Sequence, residues 1–169
     1  MSKYEIYTDG ATSNNGCKSA IGGWAFAIWK DGSLINKNSG YVKGATNQQM
    51  ELTAIIKGLN TVEEMRKIEF DVNEVVVYTD SAYCQRCYAE NWYMNWLWNG
   101  WLNSSKRPVA NKELWEQLIP FFMDKTISLV KVKGHSNDER NQMVDKMAVQ
   151  ARLNGAEIFN MAYNRGEID

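Results

Sequence analysis

Apolar and polar positions along the chain fall into blocks whose period switches between that of strands and that of helices. Lys3 to Gly10 alternates Tyr4, Ile6 and Thr8 against Glu5 and Tyr7, is rich in aromatic and β-branched residues, and stops at a glycine. This predicts a strand that ends on Asp9 just before a turn. Gly10 to Ala20 reads as a polar loop. Ile21 to Trp29 and Ser33 to Val42 read as two strands joined by a hairpin turn at Lys30-Asp31-Gly32, an antiparallel meander leading out from the first strand. The period then changes. Leu52, Ile55, Ile56, Leu59 and Val62 recur at helical spacing, predicting a helix capped by Thr46 or Asn47 and running to about Met65.

Val75 to Asp80 is a near-continuous apolar run that ends, like the first strand, in Thr-Asp and a small residue. Such runs belong to strands covered on both faces, as in a parallel sheet. Ser81 to Glu90 reads as a helix with Ser81 as its cap, and Lys112 to Met123 as an amphipathic helix with Leu114, Trp115, Leu118 and Phe122 inward. Ile127 to Val132 reads as a further strand and Gly134 to Asn141 as a polar loop. A last helix is expected from about Gln142 to Leu153, burying Val144, Met147, Ala148 and Ala151. The tail from Gly155 to Asp169 gives only weak signals, consistent with a short docked segment or with fraying.

At 169 residues one domain is expected, with 44% hydrophobic and 23% charged residues in an ordinary globular balance. The net charge of −1 excludes a wholesale basic surface, so any nucleic-acid contact has to be local. The longest apolar run, Ile21 to Trp29, holds two glycines and is too short to span a bilayer, so no membrane partner is expected. No charged-then-apolar leader stands at the N-terminus, and the expected location is cytoplasmic. Cys17, Cys84 and Cys87 with a single histidine do not make an evident zinc set, and reduced, packing cysteines are expected.

Asp9 and Asp80 end two similar strands, and a right-handed crossover can set those strands side by side. Both carboxylates would then meet outside the carboxyl ends of adjacent strands, where open α/β sheets build their sites. Either aspartate taken alone fits a turn residue as well. Glu51 near the start of one helix and Asp145 in the first turns of another complete a set of four acids; an early-helix glutamate alone is merely favourable to the helix dipole. Four carboxylates in one crevice repel one another unless cations fill it. Oxygen-only donors favour Mg²⁺ or Mn²⁺ and suit phosphodiester hydrolysis by two ions about 3.5–4 Å apart. His135, in a polar loop ten residues before Asp145, points to proton transfer or help to the leaving product, although a lone histidine is more often a surface or core residue.

Asn91 to Trp115 holds five of the seven tryptophans, and between Asn91 and Lys112 it carries Lys106, Arg107 and Lys112 with no acid. Two readings stand: a helical hairpin with an aromatic core, or aromatics beside positive charge that stack on sugars or bases.

The motifs Tyr7-Thr8-Asp9-Gly10, Thr46 to Leu52, Thr79-Asp80-Ser81 and Val132-Lys133-Gly134-His135 with Asn141 and Asp145 together resemble type 1 ribonuclease H, over Tyr4 to about Leu153. Asn91-Trp92, Gly100-Trp101, Pro108-Val109, Asn111 and Leu114-Trp115 join them. The resemblance implies an α/β ribonuclease H-like fold, a five-stranded mixed sheet in the order 3-2-1-4-5 flanked by helices. It implies metal-dependent hydrolysis of the RNA strand of an RNA–DNA hybrid, leaving 5′-phosphate and 3′-hydroxyl ends, with two Mg²⁺ ions that Mn²⁺ can replace. By matching position, Asp9 bridges the two ions, Asp145 completes the nucleophile-side ion, and Glu51 and Asp80 hold the leaving-group ion. Asn14, Asn15, Asn47 and Gln48 match minor-groove contacts, Thr46 and Asn111 a pocket for a DNA phosphate, and Trp92 an aromatic of the DNA channel. The tryptophan-rich stretch corresponds to the substrate handle. The chain departs from the pattern at Gln49, where many relatives carry arginine, at Ala82, and after His135, where Asp138 and Glu139 stand instead of a glycine.

The expectation is therefore a monomeric ribonuclease H of one domain, residues 1–169, with its core at about 3–154. A transposase, integrase or resolvase of the same fold is the rival among nucleases, and a non-catalytic hybrid-binding module is the rival from another class. Retention of all four acids counts against the latter.

Overall fold

Strand β1 (Ser2–Ser13) lies in the middle of the sheet, and every other element is placed by reference to it. The computed structural model describes residues 2–13, 19–133 and 137–167. β2 (Ile21–Lys30) and β3 (Ser33–Lys43) extend the sheet as the expected antiparallel meander. Helix α1 (Asn47–Arg66) then crosses one face and delivers β4 (Val72–Thr79) parallel to β1 on its other side. Helices α2 (Ala82–Ala89), α3 (Trp92–Asn99) and α4 (Lys112–Met123) lead to β5 (Ile127–Lys131), parallel to β4. The spatial order is β3-β2-β1-β4-β5, the order expected. Helix α5 (Glu139–Asn164) packs on β1, β2 and β3.

Strand alternation distributes β1 between two cores. Tyr4 and Ile6 join Phe26, Ile28, Val75, Val77 and the apolar stripe of α1, with Trp115 and Leu118 of α4 extending that cluster. Tyr7 faces the other way and packs with Ala25, Ala27, Trp29, Val144 and Ala148 under α5. With period two, Asp9 lies on the α5 side and Gly10 on the α1 side.

Three boundaries differ from expectation. β1 does not stop at Gly10 but runs on to Ser13, because β2 continues to pair with it through Ser13↔Ile21 after β4 has turned away. Asp9 is thus in mid-strand on the β2 side and at a strand end on the β4 side. β4 starts at Val72, where its pairing with Ser2 begins, rather than at Val75. α5 starts at Glu139 rather than at about Gln142 and runs eleven residues past the expected Leu153, to Asn164. The extension has its own packing: the Tyr41 ring lies against Gly155 and meets the Phe159 ring edge-on, centroids 6.0 Å apart.

Among the tryptophans the two readings divide. Trp96 and Trp115 are buried in the main core. Trp98 is 87% exposed, and it lines with Tyr83, Trp92, Asn95 and Asn99 a cavity of about 740 Å³. No helix of the described residues is long and apolar enough to cross a membrane.

Candidate active site

The β1–β4 register ends at Tyr7↔Tyr78, so Asp9 and Asp80 emerge level with each other two residues later. The Asp9 side chain is held by its neighbour, Gly10 N donating to Asp9 Oδ1 at 2.9 Å. Asp80 sits between two small capping groups. Thr79 Oγ1 accepts from Ser81 N at 3.1 Å, and Ser81 Oγ accepts from Cys84 N at 3.2 Å to start α2. Glu51 arrives from above because α1 lies directly on Gly10. A Cβ at position 10 would stand 2.6 Å from Glu51 N and 2.7 Å from the Met50 carbonyl carbon, so only glycine permits that approach. Gly23 does the same for α5, since a Cβ there would strike the Ala148 carbonyl and stand 2.8 Å from Arg152 N. Asp145 is one turn before Ala148 and so falls beside Asp9.

One carboxylate oxygen from each of Asp9, Glu51 and Asp80 lies within 4.8 Å of the others. Asp145 joins them on the wall of one cavity of about 570 Å³, with Gly10, Asn47, Gln48, Ser81 and Tyr83. Asp9 and Glu51 are nearly closed off, 4% and 6% exposed. Burial, followed by the charge of Asp80, pushes the Asp9 carboxyl up to about 7. Burial and then the Asp9 and Asp80 charges raise Glu51 well above the usual carboxylate range. The Asp9–Glu51 hydrogen bond lowers the one and raises the other.

These residues fit a hard divalent cation. Glu51 Oε2 is buried with no hydrogen-bond partner among the described residues, a costly state for a carboxyl oxygen that a cation would relieve. The donors are all oxygen, the set that hard ions prefer. A cation also offsets the mutual repulsion that adds to burial in driving the carboxyls up.

The remaining expected residues are distributed as follows. Thr46 is the N-cap of α1, and Asn47 and Gln48 form its first turn on the cavity rim. Asn111 reaches across from the N-terminus of α4 to the side chains of Gln48 and Gln49. Trp92 lies in the neighbouring aromatic cavity, its ring 5.5 Å from that of Tyr83. Tyr83 lines both cavities and connects them. Asn14, Asn15 and His135 lie outside the described residues. Gly10, Tyr83 and Gln49 were not among the expected site residues. The signals for them were the glycine directly after a strand carboxylate, the position one helical turn after Asp80, and the Thr-x-x-Gln spacing of a capping box.

The five-stranded mixed sheet carries, at the ends of its two central parallel strands, a carboxylate cluster suited to a divalent cation. The chain belongs to the RNase H family, whose family model matches residues 1–152. A ribonuclease H of Caldicellulosiruptor saccharolyticus is 41% identical over 149 residues, covering 88% of this chain and 94% of that one. A ribonuclease H of Thermoanaerobacter sp. is 36% identical over 146 residues, covering 86% and 87%. Among solved structures, LC9-RNase H1 superposes with a TM-score of 0.73 at 21% identity, covering 89% of this chain and 72% of that one. LC11-RNase H1 in complex with RNA/DNA hybrid gives 0.68 at 21% identity, covering 90% and 98%. The two structures are alike in fold. The chain is a ribonuclease H by family, and its activity class is that of the relatives it resembles in sequence.

Proposed function

We propose that the chain, a single ribonuclease H domain over residues 1–169, hydrolyses the RNA strand of RNA–DNA hybrids with two divalent cations. The products carry 5′-phosphate and 3′-hydroxyl ends. The observation that carries this reading is the convergence of Asp9, Glu51 and Asp80, with Asp145 on the same wall, around a buried oxygen that lacks a partner. Asp9 would be the ligand common to both ions, Asp145 would serve the ion that activates water, and Glu51 and Asp80 would serve the ion that takes charge from the leaving oxygen. Two Mg²⁺ ions, with Mn²⁺ as substitute, supply when bound an activated water and neutralisation of charge on the leaving oxygen.

The other residues bind and move protons. His135 takes or gives a proton or helps product leave. Asn14, Asn15, Asn47 and Gln48 contact the hybrid's minor groove, where the 2′-hydroxyl tells RNA from DNA. Thr46 and Asn111 grip a phosphate of the DNA strand, and Trp92 lines the DNA channel. The enzyme acts as a monomer in the cytoplasm. Cys84 and Cys87 accord with a reducing compartment, being unpaired and pushed up to about 12 by burial.

The ends of the products test the chemistry. Attack by water leaves 3′-hydroxyl ends that a polymerase extends. Attack by the neighbouring 2′-hydroxyl leaves cyclic phosphate and 5′-hydroxyl ends, and their appearance would overturn the metal–water reading.

A further inference from the structure

Helix α1 opens with a reciprocal cap. Thr46 Oγ1 accepts from Gln49 N at 3.1 Å, and Gln49 Oε1 accepts from Thr46 N at 2.9 Å. A backbone N–H only donates, so the Gln49 amide must turn its oxygen to Thr46 and its nitrogen away. That nitrogen donates to Asn111 Oδ1 at 3.2 Å. The Asn111 amide is fixed in turn, and its Nδ2 donates to Gln48 Oε1 at 3.2 Å. One backbone donor thereby sets the orientation of three side-chain amides in series. The last of them belongs to Gln48, which lines the cavity that holds Asp9, Glu51 and Asp80. With its oxygen taken up by Asn111, Gln48 has its amide nitrogen to offer a ligand.

Asn111 is placed for this link at a cost to its own helix. It is the N-cap residue of α4, with φ of 61° in the left-handed region, and its side chain makes no cap hydrogen bond. An asparagine at that position ordinarily caps. Here the side chain is committed to α1 instead, 62 and 63 residues away in sequence from its two partners.

We propose that Gln49 is a positioning residue for substrate, acting through Asn111 to present Gln48 as a hydrogen-bond donor to the minor groove. The inference rests on the hybrid being the substrate, as argued above. Minor-groove edges offer acceptors, purine N3 and pyrimidine O2, together with the RNA 2′-hydroxyl. A donor suits all of them, whereas an amide turned round would set oxygen against the base acceptors. Gln49 is neutral, so this fixing of the rim works without a cation.

A double-mutant cycle tests it. Gln49→Met keeps length and helix propensity and removes the contact to Asn111. It should raise KM for the hybrid by about 3–10-fold, the size of one net hydrogen bond or slightly more, with kcat within about twofold. In an Asn111→Ala background the same substitution should change KM by less than about twofold, because the series is already broken. Gln49→Glu is the second variant. It keeps an oxygen for Thr46 N, so the melting temperature should hold, yet it offers Asn111 only acceptors and should raise KM as Gln49→Met does. Equal multiplicative effects in both backgrounds, or a loss confined to kcat or to melting temperature, would overturn the proposal. Cleavage of the hybrid by the unaltered chain is measured in the same series, and its absence would overturn the substrate reading instead.

Discussion

Gly10 and Glu51 touch backbone to backbone: a Cβ on residue 10 would stand 2.6 Å from the Glu51 nitrogen. That contact sets the height of α1 above β1 and therefore the distance between the Asp9 and Glu51 carboxylates. Gly10→Ala has no flexible chain end to push aside, only backbone and the Met50 Cβ, and overpacking of this kind costs about 1–3 kcal/mol. The expected outcome is a lowered melting temperature together with a kcat loss of at least about tenfold, since a shift of about an ångström at a site of this kind costs rate far out of proportion. Steady-state kinetics on the hybrid checks it; unchanged kcat would show that the approach of α1 does not set the site.

Replacing Asp9 with Asn should abolish cleavage, because an amide neutralises less charge at the ligand common to both ions. Hybrid binding should largely survive, since groove and phosphate contacts lie on other residues. A variant that kept a tenth of the original turnover would remove Asp9 from the bridging position.

The same substitution should make the metal-free protein more stable at neutral pH. Asp9 is raised from 3.8 to about 7 in the fold, chiefly by burial. The folded state therefore binds more protons than the unfolded state between about pH 4 and pH 7, and this contribution to stability is lost as pH rises through that window. Glu51, raised by burial and the same neighbours, acts in the same direction. One pKa unit corresponds to about 1.4 kcal/mol, so the combined loss is on the order of a few kcal/mol. Asp124 and Glu69, lowered in the fold, act oppositely but are common to both proteins. In EDTA the melting temperature of Asp9→Asn should exceed that of the unaltered chain at pH 7, and the gap should close toward pH 4. A gap independent of pH would contradict the burial argument.

His135→Ala should slow turnover by roughly 10²-fold or less, the lower end for a group that transfers a proton. Rate measurements across pH check it. Complete loss would make His135 a ligand or an essential base, and no change would leave it a loop residue.

The handle is less charged than its sequence implies. Lys112, though exposed, is 3.7 Å from Glu116 and stands over the Trp101 ring at 5.4 Å, while Lys106 and Arg107 are exposed beside it. Each phosphate neutralised contributes about 0.9 to the slope of log affinity against log salt, by analogy with B-form DNA. Changing Lys106 and Arg107 to Gln should flatten that slope by at most about 2 units, raising KM with kcat nearly level. Adding Lys112→Gln should change little further. An unchanged slope in the double variant would make the handle a packing element.

Much of this was legible because the chemistry sits where strand periods end. Asp9 and Asp80 follow two apolar runs of matching form, and parallel pairing of those runs brings them level. The helix stripe of Leu52, Ile55 and Leu59 fixes which way Glu51 turns. Three features were not legible, each for a physical reason. The continuation of β1 to Ser13 depends on pairing with β2, a partner that no local pattern in Gly10 to Ser13 announces. The length of α5 depends on Tyr41 of a distant strand, which covers Gly155 and Phe159. The link from Gln49 to Gln48 runs through Asn111, and contacts so distant in sequence leave no periodic trace.

If the carboxylate cluster is a metal centre that cuts RNA in a hybrid, cleavage must depend on both the metal and the hybrid. A labelled RNA–DNA hybrid and the matching DNA duplex, each incubated with Mg²⁺ and with EDTA, test it most directly. The expected result is cutting of the RNA strand in the hybrid alone and only with Mg²⁺. Cutting of the hybrid in EDTA, or equal cutting of the DNA duplex, would contradict it.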